Sequence, residues 1–365
     1  MLAPLRDYLR PKDPTLVRLL CSAKERYFSR LSVDVNPDRP GFEEARWITS
    51  EDVNVEHLLD VFTTIDATSG DVWRACADFM KHLSWHKPRP AMLGPKIEGL
   101  PDDHPCKPQC LYQLSWSFGA VGSRVERKRL LAHALKLQRE QGDDYQVARA
   151  LRHLSHTSRL LGLHKEGVQQ AKEALENSKQ LGDVMEQARC SLALASSLHL
   201  DEQLDAAEEA ASRAIDLHSE KGEPFQVCRC HHILGGIYYS KGMTEKAIDH
   251  FEAALEIGSP FNWLFWVHFA LAKLLFKEGR FDDAHAHVER AKPHMINDTR
   301  PLAWAVQLQA QLRYKQHRFE EAKSEALRAA DAFEKLGATK DLEYTRKLFQ
   351  EIDEEAGNCW LLPMN

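Results

Sequence analysis

No stretch of the chain reaches the run of about 18 consecutive apolar residues that a membrane-spanning helix requires. No G-x-x-x-x-G-K-[ST] phosphate loop and no nucleophile elbow occurs in the 365 residues, so neither a P-loop ATPase core nor a serine-hydrolase elbow is written here. Cysteine is sparse and scattered (8 residues), and a chain of this length needs no disulfide staples. A reducing, cytoplasmic setting is expected. The opening MLAPLRDYLRPKDP breaks into charge too early for a signal peptide. Charge of one sign is also lacking. With 48 basic and 54 acidic residues the net charge is −6, which gives no global argument for nucleic acid or membrane binding.

Clusters that could carry chemistry are incomplete. Cys106 and Cys110 flank Lys107-Pro108-Gln109, but no second pair follows, and structural zinc wants four ligands. Cys228, Cys230, His231 and His232 are near neighbours on one helix and point to different sides. His285, His287 and His294 are not spaced four apart, so no shared helical metal face is expected. The acid pairs Glu208-Glu209, Asp282-Asp283 and Glu320-Glu321 read as solvated outer faces. The chain is therefore expected to be no enzyme, and no metal or cofactor is expected.

What the chain has is repetition. Ala134, Ala174, Ala214, Ala254, Ala291 and Ala329 recur at spacings of 40, 40, 40, 37 and 38. Periods of this size mark solenoids, stacks of hairpins in which each contacts its neighbours. Each unit reads as two helices joined by a short turn and closed by a second turn, such as Gln141-Gly142-Asp143 or Leu181-Gly182-Asp183. The expected organisation is a helical region at 1–85, a proline-rich connection at 86–108 with six prolines, a solenoid of about six hairpins over 109–352, and a tail at 353–365. In the first region Pro14 opens one helix, 36–41 break it, and Ser50 is the expected N-cap of the next. A capping helix is expected at 341–352. Turns are expected at Gly258-Ser259-Pro260 and Asn297-Asp298.

Gly235, Tyr238, Ala247, Phe251 and Ala254 resemble the tetratricopeptide-repeat pattern of small residue, tyrosine, alanine, aromatic and alanine. Ala195, Ala207 and Ala214 match it in the preceding unit, whereas Arg127 stands where the first unit should have alanine. The resemblance implies an all-α, right-handed helical-hairpin solenoid. The stretches 42–62, 130–144, 203–217 and 279–292 further resemble the C-terminal region of fungal NACHT–tetratricopeptide proteins of the STAND class, related to NOD-like receptors. That implies an upstream NACHT ATPase module in full-length relatives and makes 1–85 the helical segment following it.

In tetratricopeptide arrays the first helix of each hairpin lines the concave side. The implied groove residues of basic or aromatic type are Arg149, Arg152, His156, Arg159, Arg189, Arg229, His232, Tyr239, Trp266, Phe269, Lys273, Trp304 and Lys315. Of thirty such positions in units two to six none is Asp or Glu, although 54 acids in 365 residues predict about four. A basic, aromatic groove concentrates negative charge. The expected function is a non-catalytic scaffold or sensing arm that binds an acidic or phosphorylated peptide segment of a protein partner. Pairing of the arginines with carboxylates of the next unit is the competing reading. Single-stranded nucleic-acid binding by the same groove, and structural docking or self-association, are the alternatives.

Overall fold

The computed structural model describes residues 22–28, 31, 46–65, 68–86, 88–258, 263–294 and 300–359. The expected helix start at Pro14 and the breaks at 36–41, 259–260 and 297–298 lie outside these residues. Among the described residues every regular element is helical. The order is α1 (Arg46–Ile65), α2 (Gly70–His86), α3 (Pro90–Glu98), α4 (Lys107–Ala120), α5 (Arg124–Gln141), α6 (Asp144–Leu160), α7 (His164–Gln180) and α8 (Val184–Leu200). It continues with α9 (Leu204–Glu220), α10 (Pro224–Ser240), α11 (Thr244–Ile257), α12 (Trp263–Lys277), α13 (Phe281–Ala291), a 3₁₀ turn at Lys292–His294, α14 (Arg300–Lys315), α15 (Phe319–Lys335) and α16 (Thr339–Cys359). None of these helices is long and apolar enough to cross a membrane.

The chain divides into two compact units, Met1–Gln203 and Leu204–Asn365. In the first, α4 pairs with α5 and α6 with α7, and α8 packs on both α6 and α7. In the second, α9 lies on α10, followed by the pairs α10–α11, α12–α13 and α14–α15, with α16 packed on α15 and touching α14. This is an all-α helical-hairpin repeat solenoid.

Local chemistry explains the hairpins. After α5, Gly142 (φ 70°) takes the left-handed conformation, and its N–H and that of Asp143 bond back to Arg139 O and Gln138 O at 3.2 and 3.1 Å. That pattern is the Schellman stop, which satisfies the last orphan carbonyls. Asp143 then turns and caps the next helix, its carboxylate accepting from Gln146 N at 3.1 Å. Asp183 repeats this on Glu186 N at 3.0 Å. Two such stops lack glycine: Glu202 (φ 60°) and His317 (φ 56°) hold the left-handed geometry against Cβ strain.

The periodic alanines sit where helices cross. All six have no solvent exposure. Gly235 belongs to the same layer: a Cβ built on it would lie 2.7 Å from the Phe251 ring, closer than packed carbon atoms approach.

Three expectations change. Ser50 lies inside α1, which starts at Arg46 because Arg46-Trp47-Ile48-Thr49 holds no helix breaker. The proline-rich stretch holds α3, with Pro90 in the first turn, where its missing N–H is unneeded. Pro95 removes one helical bond farther in, offset by burial of Leu93 and Ile97. Lys107 then ties the stretch down, its Nζ donating to Glu98 O at 3.2 Å and pairing with Asp102 at 2.7 Å. The capping helix is longer than expected and runs on through residues 353–359.

Gly235→Ala should destabilise the second unit by about 1–3 kcal/mol, the usual range for overpacking. Urea unfolding followed by circular dichroism measures it, and Phe251→Leu in the same chain should recover part of the loss.

Candidate partner-binding site

In the first unit α6 carries Arg149, Arg152, His156 and Arg159, and α8 carries Arg189. Arg152 Nε donates to Glu186 Oε1 at 2.7 Å, and Arg189 lies 3.4 Å from the other oxygen of the same carboxylate. Glu186 has no solvent exposure. Burial alone would lower the Arg152 pKa; the Glu186 charge beside it leaves it raised. This pair corrects the expectation of a first-helix face free of acids. Glu186 comes from the N-terminal turn of α8, one turn before the positions where inward residues were counted, and not from a second helix. Two of the five arginines named for the groove, Arg152 and Arg189, are thus already engaged.

Arg149 is held differently. Its guanidinium lies over Tyr112 and Tyr145, 5.3 and 5.6 Å from the ring centroids, and donates to Gln146 at 3.1 Å. Arg159 is depressed by burial. His153 packs edge-on between Tyr112 (5.5 Å) and Trp116 (4.8 Å). Its imidazole is held well below the usual histidine range by burial and then by Arg152, Arg127, Arg149 and His156. Hydroxyls of Ser155 and Ser197 meet at 2.9 Å and join α6 to α8.

In the second unit the other candidates lie on α10, α12 and α14. Arg229 lies over Trp263 (4.9 Å) and Phe225 (5.9 Å), and His232 is edge-on to Trp263 (5.5 Å). Trp266 and Trp304 meet edge-to-face at 6.1 Å, joining α12 to α14. Trp304 Nε1 donates to Asp341 at 3.2 Å, which fixes the ring against α16. Phe269 stacks on Phe265 at 5.5 Å. Lys273 lies over Phe269 (5.8 Å), Lys277 over Tyr239 (5.0 Å) and Lys315 over Tyr314 (5.2 Å). So two of the named rings, Tyr239 and Phe269, each carry a lysine, and Trp266 and Trp304 contact each other. The described ion pairs concentrate elsewhere, as in Arg139–Glu173, Arg318–Glu321 and Lys335–Asp331 on the second helices and their turns.

The structure also finds residues that sequence reading separated. His231 and His250 approach through their Nδ1 atoms at 3.0 Å, and His268 and His287 at 3.1 Å. His294 stacks on His268 at 6.2 Å. Both close pairs are 19 residues apart, one from the first and one from the second helix of successive hairpins, and comparing those two units position by position would have revealed them. Among the described residues no three His, Cys, Asp or Glu side chains are arranged to hold a metal ion. Cys106 and Cys110 point at Gly70 O (3.5 Å) and Trp73 O (3.3 Å), and burial pushes both thiols up. A cleft of about 490 Å³ opens between α5 and α7, lined by Lys128, Arg139, Glu166 and Gln170 among others, on the second-helix side of the first unit.

Removing Arg152 leaves a buried carboxylate with the longer Arg189 contact and the Cys190 thiol at 3.9 Å. Arg152→Met should cost roughly 3 kcal/mol in chemical denaturation, and adding Glu186→Leu should restore most of it.

Burial, then His287, His294 and Arg290, lower the His268 pKa from 6.5 to about 4. Below pH 6.5 the unfolded chain takes up a proton that the folded chain refuses. Stability therefore falls as pH drops from 6.5 to about 4, with His231, His250 and His287 acting in the same direction. Urea midpoints measured across that window should fall, and His268→Leu should flatten the profile; a flat wild-type profile contradicts it.

The tetratricopeptide repeat model matches residues 186–259. No curated protein matches the chain by sequence. Among solved structures the chain is similar to a Rap protein complexed with competence and sporulation factor, at TM-score 0.59 and 13% identity, covering 92% of this chain and 99% of that one. It is similar to the apo form of RapI at TM-score 0.52 and 13% identity, covering 93% and 99%. It is also similar to a chain of the APC/C hetero-tetramer Cut9-Hcn1, at TM-score 0.50 and 17% identity, covering 89% of this chain and 59% of that one. Identities this low establish the fold alone. The chain is an all-α helical-hairpin solenoid that carries tetratricopeptide-repeat sequence at residues 186–259.

Proposed function

We propose that this chain is a non-catalytic interaction module that captures an acidic protein segment on the first-helix faces of its hairpins. The observation that carries the reading is how the cations there are held. Arg149, Lys273, Lys277 and Lys315 rest on aromatic rings and form no ion pair among the described residues. A cation over a ring keeps its charge and most of its hydrogen-bond donors available. Repeat solenoids commonly use such surfaces for protein partners. One structure that the fold resembles is itself a complex with a factor. Trp266 and Trp304 supply the apolar anchor, since paired aromatic rings are favoured where a partner is desolvated.

A labelled twelve-residue glutamate-rich peptide with one central leucine is the probe. Fluorescence anisotropy should show saturable binding that weakens at least tenfold in a chain carrying both Arg149→Glu and Lys277→Glu, with helicity unchanged. Binding that is absent from the wild type, or as tight in the variant as in the wild type, overturns the reading.

Aromatic rings beside lysines also suit stacked bases, which makes single-stranded nucleic acid the second reading. An oligonucleotide that binds more tightly than the peptide, with a steep salt dependence, selects it. Coupling to an upstream NACHT ATPase module is a finer reading, carried by the sequence resemblance of 42–62, 130–144, 203–217 and 279–292.

A further inference from the structure

Arg127 occupies a place that the fold reserves for small residues. The corresponding residues of the later hairpins are Gly167, Ala207, Ala247, Ala284 and Ala322. The arginine fits because Gly119 on α4 leaves a gap. A Cβ at residue 119 would lie 2.8 Å from Arg127 Cδ. The side chain passes through that gap and sets its guanidinium over the Trp116 ring, 5.1 Å from the centroid. Arg127 is only 8% exposed, its Nε is buried without a hydrogen-bond partner, and no carboxylate pairs with it among the described residues. Burial depresses it, yet an arginine stays charged in a protein. A desolvated charge without a counter-ion is costly to the fold.

The surroundings repeat the same sign. His153 touches the Tyr112 and Trp116 rings, Arg149 lies over Tyr112, and Arg152 is neutralised by Glu186. Of the other cations that act on His153, Arg127 and Arg149 form no ion pair among the described residues, and each lies over one of the two rings that His153 touches. Two fixed positive charges match a dianion. A single carboxylate would neutralise only one.

We propose that this cluster is an oxyanion site, formed by Arg127, Arg149 and His153 on the Tyr112–Trp116 floor, which takes a phosphoryl group. It rests on the proposed capture of an acidic segment and names the chemical group which the first unit reads. Planar guanidinium forks suit phosphoryl oxygens, and ring stacking occupies their faces and not their edges, although Arg149 gives one edge donor to Gln146. An arriving dianion also favours the charged form of His153, and at pH 6.5, where inorganic phosphate is mainly the monoanion, the proton that leaves the phosphate can pass to the imidazole.

The probe is inorganic phosphate, followed by thermal unfolding, Trp fluorescence and calorimetric titration in two buffers of different ionisation enthalpy at pH 6.5. Phosphate should raise the melting temperature of the wild type, change its tryptophan emission, and bind with little net proton exchange, the proton lost by H2PO4− being kept on His153. Acetate at equal ionic strength should do none of these. Arg127→Met keeps the apolar volume and removes the unpaired charge. It should fold with an equal or higher melting temperature, yet lose at least tenfold in phosphate affinity. Arg149→Gln, at a half-exposed position, should lose affinity as well and guards against a misfolded first variant. A wild type indifferent to phosphate at tens of millimolar, an Arg127→Met chain that responds like the wild type, or an equal response to acetate overturns the proposal. If phosphate fails while the glutamate-rich peptide still binds, the oxyanion site falls and the capture of an acidic segment stands.

Discussion

Everything in this molecule depends on how closely the two helices of each hairpin cross. The crossing admits only a small residue, and Ala134, Ala174, Ala214, Ala254, Ala291 and Ala329 provide it with no exposure at all. Close crossing lets neighbouring side chains such as Phe251 fill the space around a residue as small as Gly235. It also divides labour. Because the alanine layer and its aromatic fillers supply cohesion, one side of each first helix is spared from packing and can carry charge. Most described ion pairs lie on the second helices and turns, while several first-helix cations, Arg149, Lys273, Lys277 and Lys315 among them, rest on rings.

Two buried arginines show opposite solutions to the same electrostatic problem. Arg152 is answered by Glu186, so α6 and α8 are pinned in one register by a desolvated pair. Such a pair adds little net stability, but losing either member is costly. Arg127 is answered by nothing comparable. It replaces a small residue, requires a glycine across from it, and raises no ion pair in return. A feature that breaks the local packing rule without a structural gain is where function is expected.

The architecture was legible because it is written in the least ambiguous signals, small residues at fixed spacing and glycine at left-handed turns. Glu202 and His317 broke the glycine signal without breaking the turn, since the hairpin on either side fixes the backbone. Within the proline-rich connection at 86–108 the helix α3 was not legible, because Pro90 sits where a helix tolerates it and buried Leu93 and Ile97 outweigh Pro95. The candidate site was half legible. Periodicity named the side chains that share a helix face, but not their partners, because Glu186 reaches that face from a turn that lies before the repeat pattern begins. The histidine pairs were hidden for the same reason: each is made by two helices, and neither helix alone carries a histidine spacing.

The manner in which a cation is held decides whether a ligand can use it. Drawing Arg152 or Arg189 onto a partner means competing with a buried carboxylate, whose abandonment would cost more than the new contact returns. Arg149, Lys273, Lys277 and Lys315 lie over rings at 5.0 to 5.8 Å. A cation–π contact at a partly exposed site is worth about 0.5–1 kcal/mol, and a hydrogen bond to a charged group about 1.5–3 kcal/mol. A ligand oxyanion can add to the ring contact instead of replacing it, because the ring occupies one face of the cation and the donors remain at its edge. The same geometry limits rotamer freedom before any ligand arrives, so less ordering is left to be done on binding. Aromatic rings under cations, more than the count of basic residues, are thus what would make these faces receptive to an acidic partner.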